Sequence, residues 1–366
     1  MAEDCRIGIA ESRSVVSIIG NFEKGSNGLN GQTVKTIIVA DELKIAFGEE
    51  SVITFDTTGG ITTLFKSPFI AWKALRKSKD VVILPAHNSL RVFVPLLVLL
   101  QYFFRHRHVH YVVIGGWLPE FIKTRPLLRY CLRHIYMIYA ETHRMQHDLN
   151  EMGYTSNVTY MPNCKPLDIV DCSDLKSDYN EPYKLCTFSR VWSQKGIGDA
   201  VEAVKSVNES LGRNAYSLDI YGKVDGEEQE WFADLQKTFP KYVKYGGTVP
   251  YDKSVEVLKN YFVLLFPTKC YTEGIPGTII DAYAAGLPVI SSLYLNFDEI
   301  IDEGITGLGY EFGNNEALIR LLKDIAEHSQ RVIEMKENCV KKAKMFLPDE
   351  VVKTLVDRIR NTVDYE

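Results

Sequence analysis

Apolar and polar positions along this chain follow two periods in turn. Short apolar, β-rich runs read as buried parallel strands at 15–20, 51–57, 81–86, 111–114, 137–141 and 158–161. After a gap they return at 183–189, 216–221, 243–245, 261–267 and 287–292. Between them, helical spacing predicts helices at 33–46, 65–79, 91–105 and 122–134, with a short one after Thr142. The second half carries further helical patterns at 198–209, 227–239 and 253–260, then 315–327, 328–345 and 348–362. Such alternation means a doubly wound parallel α/β sheet, here built twice. Residues 165–182 are rich in Asp, Ser and Asn with few periodic apolar positions, and read as a linker. The expected organisation is a first domain over 1–165, a linker over 166–182 and a second domain over 183–347. A C-terminal helix over 348–366 is free to pack back on the first domain.

Composition changes this picture in three places. The chain has 366 residues and 46% apolar content, enough for two domains with real cores. The net charge of −5 conceals a regional asymmetry: twelve of the 42 Lys and Arg, but two of the 47 Asp and Glu, lie between residues 65 and 135. That block suits an anionic partner. Seven scattered cysteines without a CxxC pair argue against a disulfide framework or a zinc site and suit a reducing cytoplasm. Residues 1–14 are charged and lack the apolar core of a signal peptide. The longest apolar run, 92–104, is interrupted by Pro95 and Gln101 and is too short to span a bilayer.

The chemistry concentrates in 261–292. A buried strand is followed by a loop with Glu273, Gly274, Ile275, Pro276, Gly277 and Thr278, then a short helix closed by Gly286, then another strand. A helix start offers unpaired N–H groups and a positive dipole end, which favour phosphate. A carboxylate on the same loop accepts from hydroxyls. Together they suit a ligand both phosphorylated and hydroxylated, such as a sugar nucleotide. A second glycine loop, 21–32 with Gly25, Gly28, Gly31 and Gln32, has the placing of an anion cradle but is no P-loop. His87 and Gly115-Gly116-Trp117 stand at strand ends, where open α/β sheets hold ligands. His143 and His147, spaced i, i+4, lack a third metal ligand, and Glu141 reads as a cap of the following helix.

The stretch resembles the retaining GT-B glycosyltransferases of family four (glycosyl transferases group 1), of the polysaccharide-biosynthesis type. Glu273, Gly274, Pro276, Ala282, Ala284, Gly286, Pro288 and Val289 fit the signature, and Asp281 stands where a second Glu is usual. Ser189-Arg190 and Lys195-Gly196 resemble the family's Gly-Arg-x(4)-Lys-Gly element. Pro162-Asn163-Cys164 resembles its Pro-Asn-Gly, and Asp298-Glu299-Ile300-Ile301 with Gly304 and Thr306-Gly307 its tail. The resemblance is strong over 183–312 and architectural before that. It implies a GT-B fold, two doubly wound Rossmann-like domains with an interdomain cleft. It implies a metal-independent, cofactor-free, retaining transfer from a nucleotide-diphosphate sugar, foremost a UDP-sugar. Arg190 and Lys195 would neutralise the diphosphate, Asp281 would hold the ribose, and Glu273 with the amides of 274–278 would fix the sugar. Gly222, Gly31 and Gln32 join them as nucleotide-contact candidates, and His87, Gly116 and Trp117 as acceptor candidates. The acceptor would be a glycan or lipid-linked glycan of surface or capsular polysaccharide, and nucleic acid is not a partner. The protein would sit at the inner face of the cell membrane, since the basic block alternates with Phe65, Phe69, Trp72, Phe103, Phe104, Phe121, Leu127 and Leu128. Two alternatives stay open: a GT-B-fold nucleotide-sugar epimerase and a non-catalytic sugar-nucleotide-binding subunit.

Overall fold

The computed structural model describes residues 14–23, 31–59 and 61–363. Its first sheet contains β1 (Ser14–Gly20), β2 (Val52–Asp56), β3 (Ser78–Leu84), β4 (His108–Val112), β5 (Met137–Ala140) and β6 (Val158–Tyr160). These alternate with α1 (Gly31–Phe47), α2 (Ile61–Lys77), α3 (His87–Gln101), α4 (Leu118–Lys123), α5 (Pro126–Leu132) and α6 (His143–Glu151). The strand order is β2-β1-β3-β4-β5-β6. The second sheet contains β7 (Tyr183–Phe188), β8 (Tyr216–Tyr221), β9 (Val243–Gly247), β10 (Val263–Phe266), β11 (Val289–Ser292) and β12 (Gly307–Tyr310), ordered β12-β11-β10-β7-β8-β9. Its helices are α7 (Ile197–Leu211), α8 (Gln229–Lys237), α9 (Ser254–Leu258), α10 (Gly277–Ala284) and α11 (Phe297–Ile300). They are followed by α12 (Asn315–Glu327), α13 (Gln330–Ala343) and α14 (Pro348–Val363). The paired strands run parallel, so their carboxyl ends share one edge of each sheet.

Two compact units result. One holds the described residues up to Val113, Arg125–Tyr139 and the described residues from Leu355 on; the other holds Ile114–Thr124 and Ala140–Thr354. Residues 166–182, expected as a linker, lie inside the second unit. Val170 N–H donates to Ala284 O at 2.9 Å, and Leu167, Ile169 and Val170 pack on the apolar cluster around Ile279, Ile280 and Tyr283. Three apolar residues suffice to seat an aperiodic segment on a core.

Several boundaries differ from the expected ones for identifiable reasons. The helix expected over 122–134 is two helices, because Pro126 opens α5 and holds Arg125 at φ −125, ψ 78, outside the helical region. β3 and β4 each begin about three residues before their predicted starts, because polar residues at those starts satisfy one another across the strands. His110 Nε2 lies 2.8 Å from Asp80 Oδ1 and His110 Nδ1 lies 3.0 Å from the Tyr139 hydroxyl, all three residues being fully buried. Thr362 Oγ1 on α14 also donates to Asp80, at 2.8 Å, and Lys79 Nζ donates to the Thr362 carbonyl. β12 was not expected at all. Its Gly307 carries no side chain because a Cβ there would meet Val289 O at 2.2 Å.

Desolvation alone would raise the Asp80 carboxyl, but hydrogen bonds from His108, His110 and Thr362 hold it below the usual carboxylate range. Desolvation, opposed in part by Asp80 and reinforced by His108 and Arg358, holds the His110 imidazole below its ordinary 6.5. Both groups therefore bind fewer protons folded than unfolded, and stability falls as pH drops: first below the ordinary histidine value, then through the carboxylate range. In urea titrations at several pH values, His110→Leu should cost about 3–5 kcal/mol at neutral pH, because it strips a buried carboxylate of a partner. The same variant should flatten the pH dependence in the histidine range. An unchanged pH slope in the variant would show that His110 is not the titrating group.

Candidate functional site

In the second sheet the strand order reverses between β7 and β10, which are hydrogen-bonded neighbours. Loops leaving the carboxyl ends at such a switch point flank the usual ligand crevice of an open α/β sheet. Here those loops carry the two most telling sequence candidates. Lys195, on the β7–α7 loop, and Glu273, on the β10–α10 loop, meet as an ion pair between Nζ and Oε1, each side chain 15% exposed. Thr268 Oγ1 donates to the same carboxylate oxygen at 3.0 Å, and the Lys195 ammonium lies 5.6 Å from the Phe266 ring centroid. Two glycines make the approach possible. Gly196 has φ +71 and a Cβ there would meet Pro267 O at 1.8 Å; Gly222 has φ +138 and a Cβ there would meet Ser189 O at 1.7 Å. Gly222 thus lets the β8 end pack against the Ser189-Arg190 backbone. Arg190 itself points to Asp225, 3.0 Å away, in an exposed pair of the kind worth little.

The loop bearing Glu273 is held by its backbone. Glu141, 2% exposed, accepts from Gly115 N–H at 3.0 Å and from Ile275 N–H at 2.9 Å. Asn163 Nδ2 donates to Ile275 O at 3.0 Å, and Asn296 Nδ2 donates to Glu273 O at 2.5 Å. This corrects the readings of Ile275 and Glu141 and explains why residue 274 is glycine. The Ile275 amide, expected to face a ligand, is bonded to Glu141, and the Ile275 side chain is core. Gly274 is glycine because a Cβ would meet Glu141 Oε1 at 2.2 Å and Gly115 Cα at 2.8 Å. Glu141 does not cap α6: Thr142 Oγ1 accepts from Met145 N–H, and Glu299 takes the His143 and Arg144 N–H groups at 3.0 and 2.7 Å.

α10 starts at Gly277 with Pro276 as its N-cap, so the N–H groups of Gly277 and Thr278 lie in its first turn without intrahelical partners. They are the loop amides suited to an anion. The Thr278 hydroxyl donates back to Phe188 O at the end of β7, tying the helix start to the switch point. The Tyr294 hydroxyl is buried nearby without a hydrogen-bond partner, and desolvation, then the charges of Glu273, Glu141 and Glu299, push it well above the ordinary phenol value.

Asp281 sits on α10, 3% exposed, with Lys165 Nζ at 2.5 and 2.6 Å from its two oxygens and Ser254 Oγ at 2.9 Å. Its hydrogen-bonding capacity is thus largely taken within the protein. Desolvation raises its carboxyl above the usual range, against Lys165 and Ser254, which pull it down. Sequence reasoning missed Lys165 and Ser254. The available signal was that Lys165 directly follows the Pro162-Asn163-Cys164 motif.

Gly31 and Gln32 open α1 instead of sitting in a loop, and Gln32 Nε2 donates to Leu84 O at 3.3 Å. Gly25 and Gly28 fall outside the described residues. His87 is the first residue of α3, exposed, and held below its ordinary value by desolvation and then by Arg91 and Arg125. Gly116 packs on the Glu273 loop, where a Cβ would meet Thr272 O at 2.8 Å. Trp117 is spent locally, its Nε1 donating to Ile114 O at 2.7 Å and its ring meeting Phe121 edge-on. His147, Asp148 and Glu151 form a small cluster at the end of α6, whereas His143 stacks on Tyr160 with ring centroids 3.7 Å apart.

Lys165→Met should destabilise the protein by about 3–5 kcal/mol, since it leaves Asp281 buried and unpaired by charge. The double variant Lys165→Met/Asp281→Leu should regain most of that loss in a urea double-mutant cycle. Additive losses would show that the two groups do not act as a pair.

Residues 176–346 match the sequence model of the family described as Glycosyl transferases group 1. Over 163 residues the chain is 26% identical to the amylovoran biosynthesis glycosyltransferase AmsK of Erwinia amylovora, covering 43% of this chain and 40% of that protein. Over 224 residues it is 25% identical to the alpha-monoglucosyldiacylglycerol synthase of Acholeplasma laidlawii, covering 59% and 54%. The match thus spans about half or less of the length of these curated relatives. Among solved structures, Anabaena Alr3699/HepE in complex with UDP and glucose superposes with a TM-score of 0.69 at 15% identity, over 96% of this chain and 100% of that one. Residues 176–346 match a glycosyl transferases group 1 domain, and the chain has the fold of the GT-B glycosyltransferases.

Proposed function

We propose that this protein is a retaining, metal-independent glycosyltransferase that moves a sugar from a nucleoside-diphosphate sugar, foremost a UDP-sugar, to a hydroxyl of a glycan or lipid-linked acceptor. The observation that carries this reading is the meeting of Lys195 and Glu273 at the β7/β10 switch point, beside the first turn of α10. A fixed cation and free helix-start amides match the diphosphate of such a donor, and a carboxylate matches its sugar hydroxyls. In the transfer, the bond from the anomeric carbon to the β-phosphate oxygen breaks, and a bond to the acceptor oxygen forms on the same face. The acceptor proton passes to a leaving-phosphate oxygen. Negative charge grows on the diphosphate, where Lys195 and Arg190 stabilise it. Arg190 leaves a weak exposed pair with Asp225 to do so. Asp281 serves the ribose only if its pair with Lys165 opens, so its part is to hold α10 while nearby groups meet the ribose. Surface or capsular polysaccharide is the setting we favour, supported by the partial likeness to the amylovoran enzyme.

The acceptor side includes an anionic membrane surface. No helix among the described residues is long and apolar enough to cross a membrane. The first unit instead exposes large apolar side chains on three neighbouring helices. Phe65, Phe69 and Trp72 stand on α2, Leu99 on α3 with Tyr102 and Phe103 just beyond it, and Leu127 and Tyr130 on α5. Lys73 lies 5.7 Å from the Phe69 ring centroid, Arg76 5.0 Å from that of Trp72 and Arg105 5.5 Å from that of Tyr102. Apolar tips ringed by cations suit a bilayer interface. Three expected members drop out: Leu128 is buried, Phe104 is half-buried, and Phe121 belongs to the second unit, edge-on to Trp117. Lys79 is tied to Thr362.

With EDTA present throughout, the protein should bind UDP and slowly hydrolyse its best UDP-sugar. Lys195→Ala and Arg190→Ala should each weaken UDP binding, by about 1.5–3 kcal/mol. Glu273→Ala should lower turnover more than UDP affinity. Unchanged UDP binding in both cation variants would end the diphosphate assignment, and rescue by Mg²⁺ after EDTA the metal-free one.

The protein should also sediment with anionic vesicles in low salt and little with neutral ones. Neutralising Lys66, Lys73, Arg76 and Lys77 together should release it and leave UDP binding intact, at about 1 kcal/mol for each basic residue. Wild-type protein that ignores anionic vesicles in low salt would point to a soluble acceptor.

A further inference from the structure

Glu141 is a buried carboxylate that no motif marked and that the transfer chemistry does not use. It accepts from two main-chain N–H groups, one from Gly115 and one from Ile275, at 3.0 and 2.9 Å. Those partners lie on segments far apart in sequence, one after β4 and one on the loop before α10. The surroundings are shaped to let the carboxylate in. Gly115 has φ +83, and a side chain at Gly274 would strike Glu141 Oε1. The polar groups around the loop are sorted by type: an acceptor carboxylate faces the Ile275 N–H, and amide donors from Asn163 and Asn296 face the carbonyls of Ile275 and Glu273.

This arrangement is chemically selective. A carboxylate offers two acceptors and no donor, so it can serve both N–H groups at once. A glutamine of the same shape can serve one, and turns an N–H₂ toward the other. The carboxylate form is therefore what the two amides require.

The loop's far end has its own anchors. α10 is held by Thr278 on Phe188 O and by Lys165 on Asp281. Glu273, by contrast, reaches Lys195 and Thr268 through a short stretch whose backbone is fixed by Glu141 and Asn296. Loosening Ile275 thus moves Glu273 before it moves the first turn of α10.

We propose that Glu141 is the positioning residue of this site: its buried carboxylate, bridging the Gly115 and Ile275 amides, sets where the Glu273 carboxylate stands relative to the transferred sugar. The role rests on the transferase reading, but its structural half can be tested without it. Glu141 does not touch substrate and exchanges no proton. It acts through backbone position alone, to which transfer chemistry is steeply sensitive, with misplacements of an ångström costing about 100-fold.

The test uses the full chain and the variant Glu141→Gln, with Asn296→Ala as a second lesion on the same loop should Glu141→Gln fold poorly. Four quantities are read: hydrogen exchange at the Ile275 and Gly115 amides, Kd for UDP, kcat and KM for hydrolysis of the best UDP-sugar, and Tm. In Glu141→Gln the Ile275 or the Gly115 amide should exchange faster, and kcat per folded molecule should fall by about 10- to 100-fold. Kd for UDP should stay near that of the wild type, because Lys195 and the start of α10 remain. Asn296→Ala should lower kcat in the same direction. Wild-type exchange at both amides, or an unchanged kcat in folded Glu141→Gln, overturns the proposal. So does a parallel loss of UDP binding, kcat and Tm, which marks a structural role only. Wild-type protein that neither binds UDP nor hydrolyses any UDP-sugar overturns the transferase reading instead, and with it Glu141's part in transfer; the exchange data then still report whether Glu141 holds the loop.

Discussion

The constraint on which the second half of the molecule depends is the adjacency of β7 and β10. Some 75 residues separate these strands in sequence, yet they pair directly, and the order reverses between them. In a parallel sheet both must release their loops at the same edge. Lys195 and Glu273 therefore meet because of strand order, and no local preference of either loop would bring them together. The same edge receives the start of α10, with its unpaired amides.

Close backbone approach is the second theme, and it explains most of the site's glycines. Gly196, Gly222, Gly274 and Gly116 each stand where a Cβ would strike main chain or a buried carboxylate. They let loops from different segments lie within hydrogen-bond reach, which gives the site a rigid floor. A rigid floor matters for the proposed transfer, whose acceleration would come mainly from orientation and fixed charge.

Buried polar groups are the third. Asp80 with His110, Asp281 with Lys165, and Glu141 with two amides are each satisfied inside the protein. Each costs desolvation and is held only by specific partners, so each selects one arrangement of its neighbours over others. The first joins α14 to the first sheet, the second holds α10, and the third holds the loop that carries Glu273.

Hydrophobic period alone determined that the chain is a twice-repeated α/β alternation, and the local residue pattern singled out Glu273 and the start of α10, to which the family resemblance added Arg190 and Lys195. Those are local signals: a buried parallel strand is a continuous apolar run, and a helix start has its own residue preferences. Where polar residues are buried, the local signal misleads. His108 and His110 hid the start of β4, and Asp80 that of β3, because their partners lie on other strands. Gly307 hid β12 for a related reason, since only the neighbouring strand shows why glycine is required. The tertiary structure alone decided that the Ile275 amide and the Asp281 carboxylate are already engaged, that Glu141 is a brace and not a cap, and that Leu99, Tyr102 and Tyr130 join the exposed apolar surface. A residue's type states which bonds it can make; only the fold states which partner arrives first.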